Sequence, residues 1–504
     1  MKLRIFILVI SSVWFTINLV GQNKYNYDEL DRYIANAVGD FEVPGFAVGI
    51  IKNGEVVFQK GYGVRNTDTQ EPVDIKTVFG IASCSKAFTA ACMAILVDEG
   101  KIDWDDNVTS HLSWFRLNDQ CISNDLRIND LLSHRSGLQT FDGDLLWYGT
   151  KYSRKEIVER IRFRKTGFGL RQKFGYSNVM FITAGEVIRE VSGITWDDFV
   201  KEKIFTPLSM NSTTTSNSGF DKSMNIAWPH INGEPQGFIN YDNSGPAASI
   251  NTSTEDFLKW VQLMLGKGVF ENDTIFSENQ YYKLTKPHTL LNAGKAESPG
   301  GTHFSTYGLG WFMKDYQGKK IIQHGGGLPG FHSKVVFVPE DSLGFVIMAN
   351  QISALVEAIT RKILDYHLTD EKKDWASLYF DYEKKQKVSE KENEIEKEAS
   401  AKKNTKPTLE LTEYIGDYED EMYGQASITI KNDQLYLSLL PAKELFSAQL
   451  SHWQYNTFSF RFKDAFLPTG YITFSIDETG KPEYFTIDLE NPDFHFYKLK
   501  FEKQ

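Results

Sequence analysis

A serine and a lysine stand three residues apart at the start of an almost uninterrupted apolar stretch. Ser83 and Lys86 belong to residues 83–97, where nearly every other side chain is small or apolar, as in a helix buried on all sides. Positions three apart share a helix face, so the two side chains can meet. A buried lysine is costly unless it is paired or its pKa is shifted. The pattern predicts a serine nucleophile assisted by that lysine.

Two observations limit what this pair can show alone. The same S-x-x-K spacing recurs at Ser400 and Lys403 inside a charged stretch, where it is a chance match. Cys84, next to Ser83, is a rival nucleophile. Its apolar neighbours and the absence of a cysteine-protease signature favour a small core residue instead.

A second candidate motif is Tyr176-Ser177-Asn178, which precedes an apolar helical run at 179–191. A tyrosine hydroxyl can relay a proton if a nearby cation lowers its pKa. An asparagine amide can donate to a substrate carbonyl and accept from a lysine. Taken alone, the motif also fits a helix start capped by Asn or Ser.

A third candidate motif is His324-Gly325-Gly326-Gly327, which follows a predicted strand at 319–324. Glycines at a strand edge let another backbone approach closely. A backbone N–H group there can join that of Ser83 in binding an oxyanion. Taken alone, the motif also fits a glycine-rich turn with a structural histidine.

In this order the three motifs resemble those of the serine β-lactamase and penicillin-binding protein superfamily, and most closely its class C, esterase and D-aminopeptidase-like branch. The resemblance spans roughly residues 27–370. It implies that Ser83 is the acylated nucleophile and that Lys86 helps to remove its proton. It also implies that Tyr176 shuttles protons during acylation and deacylation.

The resemblance assigns substrate binding to Asn178, His324, Gly326 and Gly327, with the N–H groups of Ser83 and Gly327 forming the oxyanion hole. His324 stands where this motif usually carries a lysine, and an imidazole is neutral near pH 7. A neutral group weakens recognition of a substrate carboxylate. We therefore expect esterase or D-amino-acid-type peptidase activity ahead of β-lactamase activity.

The alternative is a penicillin-binding or sensor-type protein on the same fold that is acylated without efficient turnover. The presence of both Lys86 and Tyr176 favours an enzyme, with a small-molecule or peptide-like ester or amide as its substrate. No metal-ligand spacing or phosphate loop occurs, so neither a metal nor a cofactor is expected. The net charge of −11 argues against a nucleic-acid partner. Oligomeric state stays open.

The elements around the motifs predict an α/β (α+β) fold with an antiparallel sheet flanked by helices. Asn53-Gly54 joins two β-rich runs as a hairpin. Residues 101–300 read as a mostly helical insert. Strand character then returns in short segments separated by tight turns, so the sheet is antiparallel and needs helices on its faces. The predicted strands are 45–52, 55–62, 307–315, 319–324, 333–338 and 343–350.

With 504 residues the chain has room for several domains. A signal peptide is expected at 1–21, because Lys2 and Arg4 precede an apolar run shorter than the ~20 residues of a membrane span. The protein is then exported, periplasmic or secreted, although an uncleaved anchor stays open. Short β segments near the C-terminus predict a small all-β barrel similar to a lipocalin-like domain. The expected divisions are 22–370 (hydrolase domain), 371–408 (charged linker) and 409–504 (barrel).

Overall fold

The computed structural model describes residues 25–292 and 302–504. The expected signal peptide at 1–21 lies outside these residues. Within them, no helix is both long enough and apolar enough to cross a membrane.

An antiparallel eight-stranded sheet forms the centre of the larger domain, which we call the sheet domain. Its spatial order is β2-β1-β8-β7-β6-β5-β4-β3, so the first and last strands of the domain pair through β1 and β8. This confirms the predicted antiparallel sheet. In chain order the strands are β1 (Gly45–Lys52), β2 (Glu55–Gly63), β3 (Thr289–Leu291), β4 (Ser305–Tyr307), β5 (Phe312–Tyr316), β6 (Lys319–Leu328), β7 (Phe331–Val338) and β8 (Leu343–Ala349).

Two local predictions for this sheet are wrong. The single strand expected at 307–315 is a hairpin of β4 and β5, because Gly310 adopts a φ of 76° and the chain reverses there. Strand β6 continues through the third motif, where Gly326 pairs with Ser333 of β7. The motif is therefore part of a strand rather than a glycine-rich turn.

Helices cover both faces of the sheet, which explains why every residue of β1 except its last is buried. Helices α1 and α5 pack with Phe46, Val48 and Ile50 on one face. Helix α4 packs against β1 and β8, and α2 and α3 belong to the same core as α4. The longer helices of the described residues are α1 (Tyr27–Asp40), α2 (Ser85–Asp98), α3 (Asn178–Ser192), α4 (Thr254–Leu265), α5 (Leu355–Leu368) and α6 (Trp375–Ala399).

The C-terminal part forms a nearly closed barrel from a single nine-stranded sheet. The two strands at the ends of that sheet are neighbours in sequence and are separated by Leu450 alone, which brings the sheet edges together. The predicted small all-β barrel is confirmed. Its strands are Gly416–Asp420, Gly424–Lys431, Gln434–Leu439, Ser447–Gln449, Ser451–Gln454, Thr457–Phe460, Gly470–Ile476, Pro482–Asp488 and Lys500–Lys503.

Helix α6 covers most of the stretch expected to be a charged linker and contacts both domains. At its start, the Trp375 indole N–H donates to Asp365 of α5 at 2.6 Å. Near its end, Lys397 pairs with Asp488 of the barrel at 3.0 Å. The charges of this segment are largely solvated, while its two ends are anchored.

The barrel docks on the helical insert of the sheet domain through buried polar and aromatic contacts. The Tyr148 hydroxyl donates to Asp464 at 2.6 Å, and the ring of Phe494 lies 4.1 Å from that of Tyr148. Lys498 of the barrel pairs with buried Asp142 at 2.8 Å. These contacts place the barrel beside the loops that lead to the second motif.

The close approach of β6 to the nucleophile turn makes a stability prediction. A Cβ atom on Gly326 would lie 2.2 Å from the Ile81 carbonyl oxygen, whereas one on Gly327 meets nothing within 4 Å. We expect Gly326→Ala to lower the free energy of unfolding by about 1–3 kcal/mol because backbone must move. Gly327→Ala, the matched control, should change it by less than about 0.5 kcal/mol. Urea unfolding measures both; equal effects would contradict this packing.

Candidate active site

Ser83 is presented by a constrained turn at the entrance to α2. Among residues 79–96 it is the one position that is not buried. Ala82, just before it, adopts a left-handed φ of 48°, a conformation that non-glycine residues rarely hold. The turn is pinned from two sides, because the Ile81 N–H donates to Ile250 and the Ile81 carbonyl accepts from Ser333, at 2.9 and 2.7 Å. Local strain thus points the serine hydroxyl out of the core.

The Lys86 side chain is completely buried and makes three hydrogen bonds. Its Nζ lies 3.0 Å from Ser83 Oγ, 2.6 Å from Asn178 Oδ1 and 3.0 Å from the Ala247 carbonyl oxygen. Burial lowers the pKa of Lys86 to about 7, although the nearby Asp144 carboxylate opposes the shift. A large fraction of the amine is therefore neutral at pH 7 and can accept the Ser83 proton.

Asp144 is a buried acid that the sequence analysis did not identify. Its Oδ2 accepts a 2.6 Å hydrogen bond from Asn178 Nδ2, which turns the Asn178 oxygen toward Lys86. Burial raises the pKa of Asp144 to about 8, so the protonated acid predominates at pH 7. The sequence contains one signal for this buried acid, because Asp144 is directly followed by the apolar residues Leu145, Leu146 and Trp147. Asp144 is a positioning residue for the Lys86–Asn178 pair.

Tyr176 lies in the loop before α3, and its ring centroid is 4.7 Å from Lys86 Nζ. The helix-start interpretation of this motif also holds, since Ser177 caps α3 by accepting from the Met180 N–H. The pKa of Tyr176 is raised by burial, and interaction with the Ser83 hydroxyl offsets this only in part. The anticipated lowering of this pKa by a cation is not found. Tyr176 is a protonated phenol suited to donating a proton.

His134 holds the Tyr176 loop in place. Its ring lies 4.2 Å from that of Tyr176, and its Nδ1 accepts from the Ser177 N–H at 3.0 Å. Burial lowers the pKa of His134, so the imidazole is neutral. Its contacts indicate a structural role behind the phenol.

His324 is buried on β6 and carries no charge at neutral pH. Burial, together with the nearby Lys86, lowers its pKa to about 3. Its ring nitrogens lie 3.0 Å from the Tyr307 hydroxyl and 2.7 Å from the Gly325 carbonyl oxygen. The third motif therefore supplies no positive charge through its first residue.

The glycines after His324 have different positions. Gly325 and Gly327 line the cavity at Ser83, while Gly326 packs against Ile81 and Ala82 behind it. Gly326 thus places β6 against the nucleophile turn instead of facing a substrate. Gly325 was missed by sequence reasoning, although the three consecutive glycines were a signal for it.

Cys84 has the environment of a core residue. Its Sγ lies 3.4 Å from the His324 carbonyl oxygen and 3.3 Å from Ser333 Oγ. Burial raises the pKa of the thiol to about 12, which leaves almost no thiolate to act as a nucleophile.

A cavity of about 570 Å³, which we call the active-site cavity, opens above Ser83. It brings together all the predicted site residues except Lys86, which lies beneath Ser83, and Gly326. Lys334 of β7 also reaches the wall, where its charge is paired with Glu357 at 3.1 Å. Three further residues come from the barrel: Phe466, Asp493 and Phe494.

Asp493 is the acidic group that the barrel brings to this cavity. No side-chain hydrogen bond joins its carboxylate to any residue in the described part of the chain. Burial raises the pKa of Asp493, and its negative charge in turn raises the pKa of Asp144 and Tyr176. The cavity thus has an acidic side near Trp147 and Phe494. No local pattern connects Asp493 with Ser83 in the sequence.

Comparison with known proteins agrees with this geometry. A family model described as beta-lactamase matches residues 30–367, and a domain of unknown function, DUF3471, matches residues 400–503. The resemblance seen in the motifs is therefore confirmed. The C-terminal match is to DUF3471, and the lipocalin-like resemblance has no support from it.

Two curated relatives and one solved structure extend the comparison. The unguisins hydrolase ungD' of Aspergillus campestris is 28% identical over 441 residues, covering 81% of this chain and 80% of that protein. Protein flp of Staphylococcus aureus is 25% identical over 353 residues, covering 67% and 66%. The octameric penicillin-binding protein homologue from Pyrococcus abyssi has a TM-score of 0.58 at 20% identity and covers 95% and 100%. That structure shows a shared fold.

The contact between Asp144 and Asn178 predicts a pH effect. Activity requires neutral Lys86, so kcat/KM should fall below pH about 7 in the wild type. The Asp144 charge raises the Lys86 pKa. With a pKa of about 8, Asp144 is ionised only in part near pH 7. Asp144→Asn removes this partial charge, and the acidic midpoint of kcat/KM should move modestly to lower pH, with the plateau reduced by about 10-fold or less.

The matched control is Asp142→Asn, which alters an acid paired with Lys498 and Arg164 rather than with the Lys86 network. Its acidic midpoint should equal that of the wild type. A midpoint that stays in place or rises in Asp144→Asn would contradict the assigned coupling.

Proposed function

Because this chain belongs to the beta-lactamase family, we propose that it is an exported serine hydrolase that cleaves an ester or amide through an acyl-enzyme on Ser83. The observation that carries the proposal is the pair formed by Ser83 and Lys86. A buried amine with a pKa of about 7 lies 3.0 Å from a hydroxyl that faces a cavity. Export is inferred from the basic and apolar N-terminal segment.

Acylation follows from the protonation states of the three central side chains. Neutral Lys86 accepts the proton of Ser83 as Oγ bonds to the substrate carbonyl carbon. The N–H groups of Ser83 and Gly327 stabilise the oxyanion that forms. Tyr176 donates its phenolic proton to the leaving group as the scissile bond breaks, and the Lys86 ammonium returns a proton to Tyr176.

Deacylation uses the same groups with water in place of the leaving group. Water passes a proton through Tyr176 to Lys86 as its oxygen bonds to the acyl carbon. The ester bond to Ser83 breaks, and Oγ recovers the proton from Lys86. The enzyme returns to its initial state and the acid product departs.

The charges around the cavity support an amine-bearing acyl group over one with a free carboxylate. His324 is neutral and the charge of Lys334 is paired with Glu357. The Asp493 carboxylate has no hydrogen-bonding partner within the described residues and can attract an ammonium group. These features favour a D-amino-acid-type ester or amide over a β-lactam. The relative named as an unguisins hydrolase is consistent with hydrolysis as the reaction class.

A serine-directed fluorophosphonate and a chromogenic ester test the proposal. The probe should label the wild type at Ser83, as located by peptide mass spectrometry. Ser83→Ala should remove labelling and lower kcat for p-nitrophenyl acetate by about 10³-fold or more, since the nucleophile is lost. Ser400→Ala, in the chance S-x-x-K match, is the control and should behave like the wild type.

Two outcomes count against the proposal. If Ser83→Ala hydrolyses the ester as fast as the wild type, Ser83 is not the nucleophile. If the wild type accumulates as a stable acyl-enzyme without turnover, the protein is the penicillin-binding or sensor-type alternative.

The substrate class is tested by comparing D-alanine p-nitroanilide with its N-acetyl derivative. The wild type should favour the free amine, and Asp493→Asn should reduce that preference by about 10-fold because one carboxylate charge is removed. Asp488→Asn, at the exposed end of a barrel strand, is the matched control and should retain the preference. Equal ratios in wild type and Asp493→Asn would exclude Asp493 as the amine-recognising group.

A further inference from the structure

A second cavity of about 240 Å³, which we call the side cavity, lies between the sheet domain and the barrel. It is larger than the apolar cavities of about 150 Å³ that bind benzene in other proteins. Both domains line it. Its apolar and aromatic wall residues include Ile231, Phe238, Tyr241, Phe331, Leu445 and Ala465.

Several polar residues on this wall have partners within the protein, whereas Lys463 has no ion pair among the described residues and the buried Asp242 Oδ1 accepts no hydrogen bond from them. The Asn217 amide donates to the Ile239 carbonyl at 2.7 Å, and Asp242 accepts from Ser216 at 2.8 Å. Asp464 accepts from Tyr148 at 2.6 Å. A ligand there meets mainly apolar and aromatic surface, with the Lys463 ammonium and Asp242 Oδ1 as the polar groups left beside it.

The side cavity adjoins the active-site cavity. The two share the wall residues Ala248, Leu328 and Pro329. Leu328 directly follows Gly327, whose N–H is assigned to the oxyanion hole. A group attached to a carbonyl bound there is therefore next to the entrance of the side cavity.

The position of Tyr176 decides which part of the substrate enters. Tyr176 lines the active-site cavity but not the side cavity. The leaving group must be next to Tyr176 to receive its proton, so it stays in the active-site cavity. The acyl part is then the part that can extend past Ala248 and Leu328.

We propose that the side cavity is an acyl subsite for a bulky apolar or aromatic group, formed jointly by the sheet domain and the barrel. The inference rests on the proposed acyl-enzyme at Ser83 and specifies its substrate: an acyl group with a large apolar side chain. The barrel then contributes to specificity through Leu445 and Ala465 as well as through Asp493.

The test compares p-nitrophenyl 4-phenylbutyrate with p-nitrophenyl acetate, which share a leaving group and differ in the acyl part. The wild type should favour the phenyl ester in kcat/KM by at least about 10-fold. Leu445→Trp fills the side cavity and should lower that preference about 10-fold, with acetate hydrolysis unchanged. Leu445→Ala removes apolar surface from the side cavity without adding bulk, and it should lower the preference for the phenyl ester by less. This variant keeps the test valid if Leu445→Trp does not fold.

Leu440→Trp is the matched control, since Leu440 is an exposed barrel leucine that lines neither cavity. It should keep the wild-type preference. An unchanged preference in both Leu445 variants, with acetate still hydrolysed, overturns the acyl subsite and leaves the proposed function standing. Absence of Ser83-dependent acetate hydrolysis in the wild type overturns the proposed function itself.

Discussion

The hydrogen bonds of one buried amine determine how the active site is assembled. Lys86 has no exposed surface, and leaving such a group without partners would be strongly unfavourable. Its three acceptors come from separate parts of the chain: the nucleophile turn, the start of α3 and the short segment that contains Ala247. Satisfying this amine therefore requires α2, α3 and that segment to meet, and the same packing lowers its pKa into the range of a useful base.

The sheet and the helices exclude water from the surroundings of Lys86 and hold its neighbours in place. Strand β6 approaches the nucleophile turn so closely that only glycine fits at 326. Ala82 holds a left-handed backbone that turns Ser83 toward the cavity. Such strain persists where surrounding structure fixes it, and here hydrogen bonds from Ser333 and to Ile250 do so.

Sequence reasoning could predict the elements whose signals are local. The apolar run around Lys86, the Asn53-Gly54 hairpin and the three motifs each depend on neighbouring residues, and they indicated the antiparallel sheet and the barrel. Asp144 and Asp493 could not be found in this way, because their proximity to Lys86 and Tyr176 arises from tertiary packing. The hairpin of β4 and β5 was not predicted, because residues 307–315 have the composition of one strand. The chain reverses near Gly308 and Gly310, and these two glycines were not recognised as a turn.

The pKa of Lys86 is the most direct measure of this account. Lysine labelled with ¹⁵N at Nζ can be titrated by NMR in the intact protein, with the Lys86 signal assigned from its absence in Lys86→Met. The account predicts a midpoint near 7, because burial destabilises the ammonium form. A midpoint near the ordinary lysine value of 10.5 would contradict it, since Lys86 would then remain charged and could not accept the Ser83 proton.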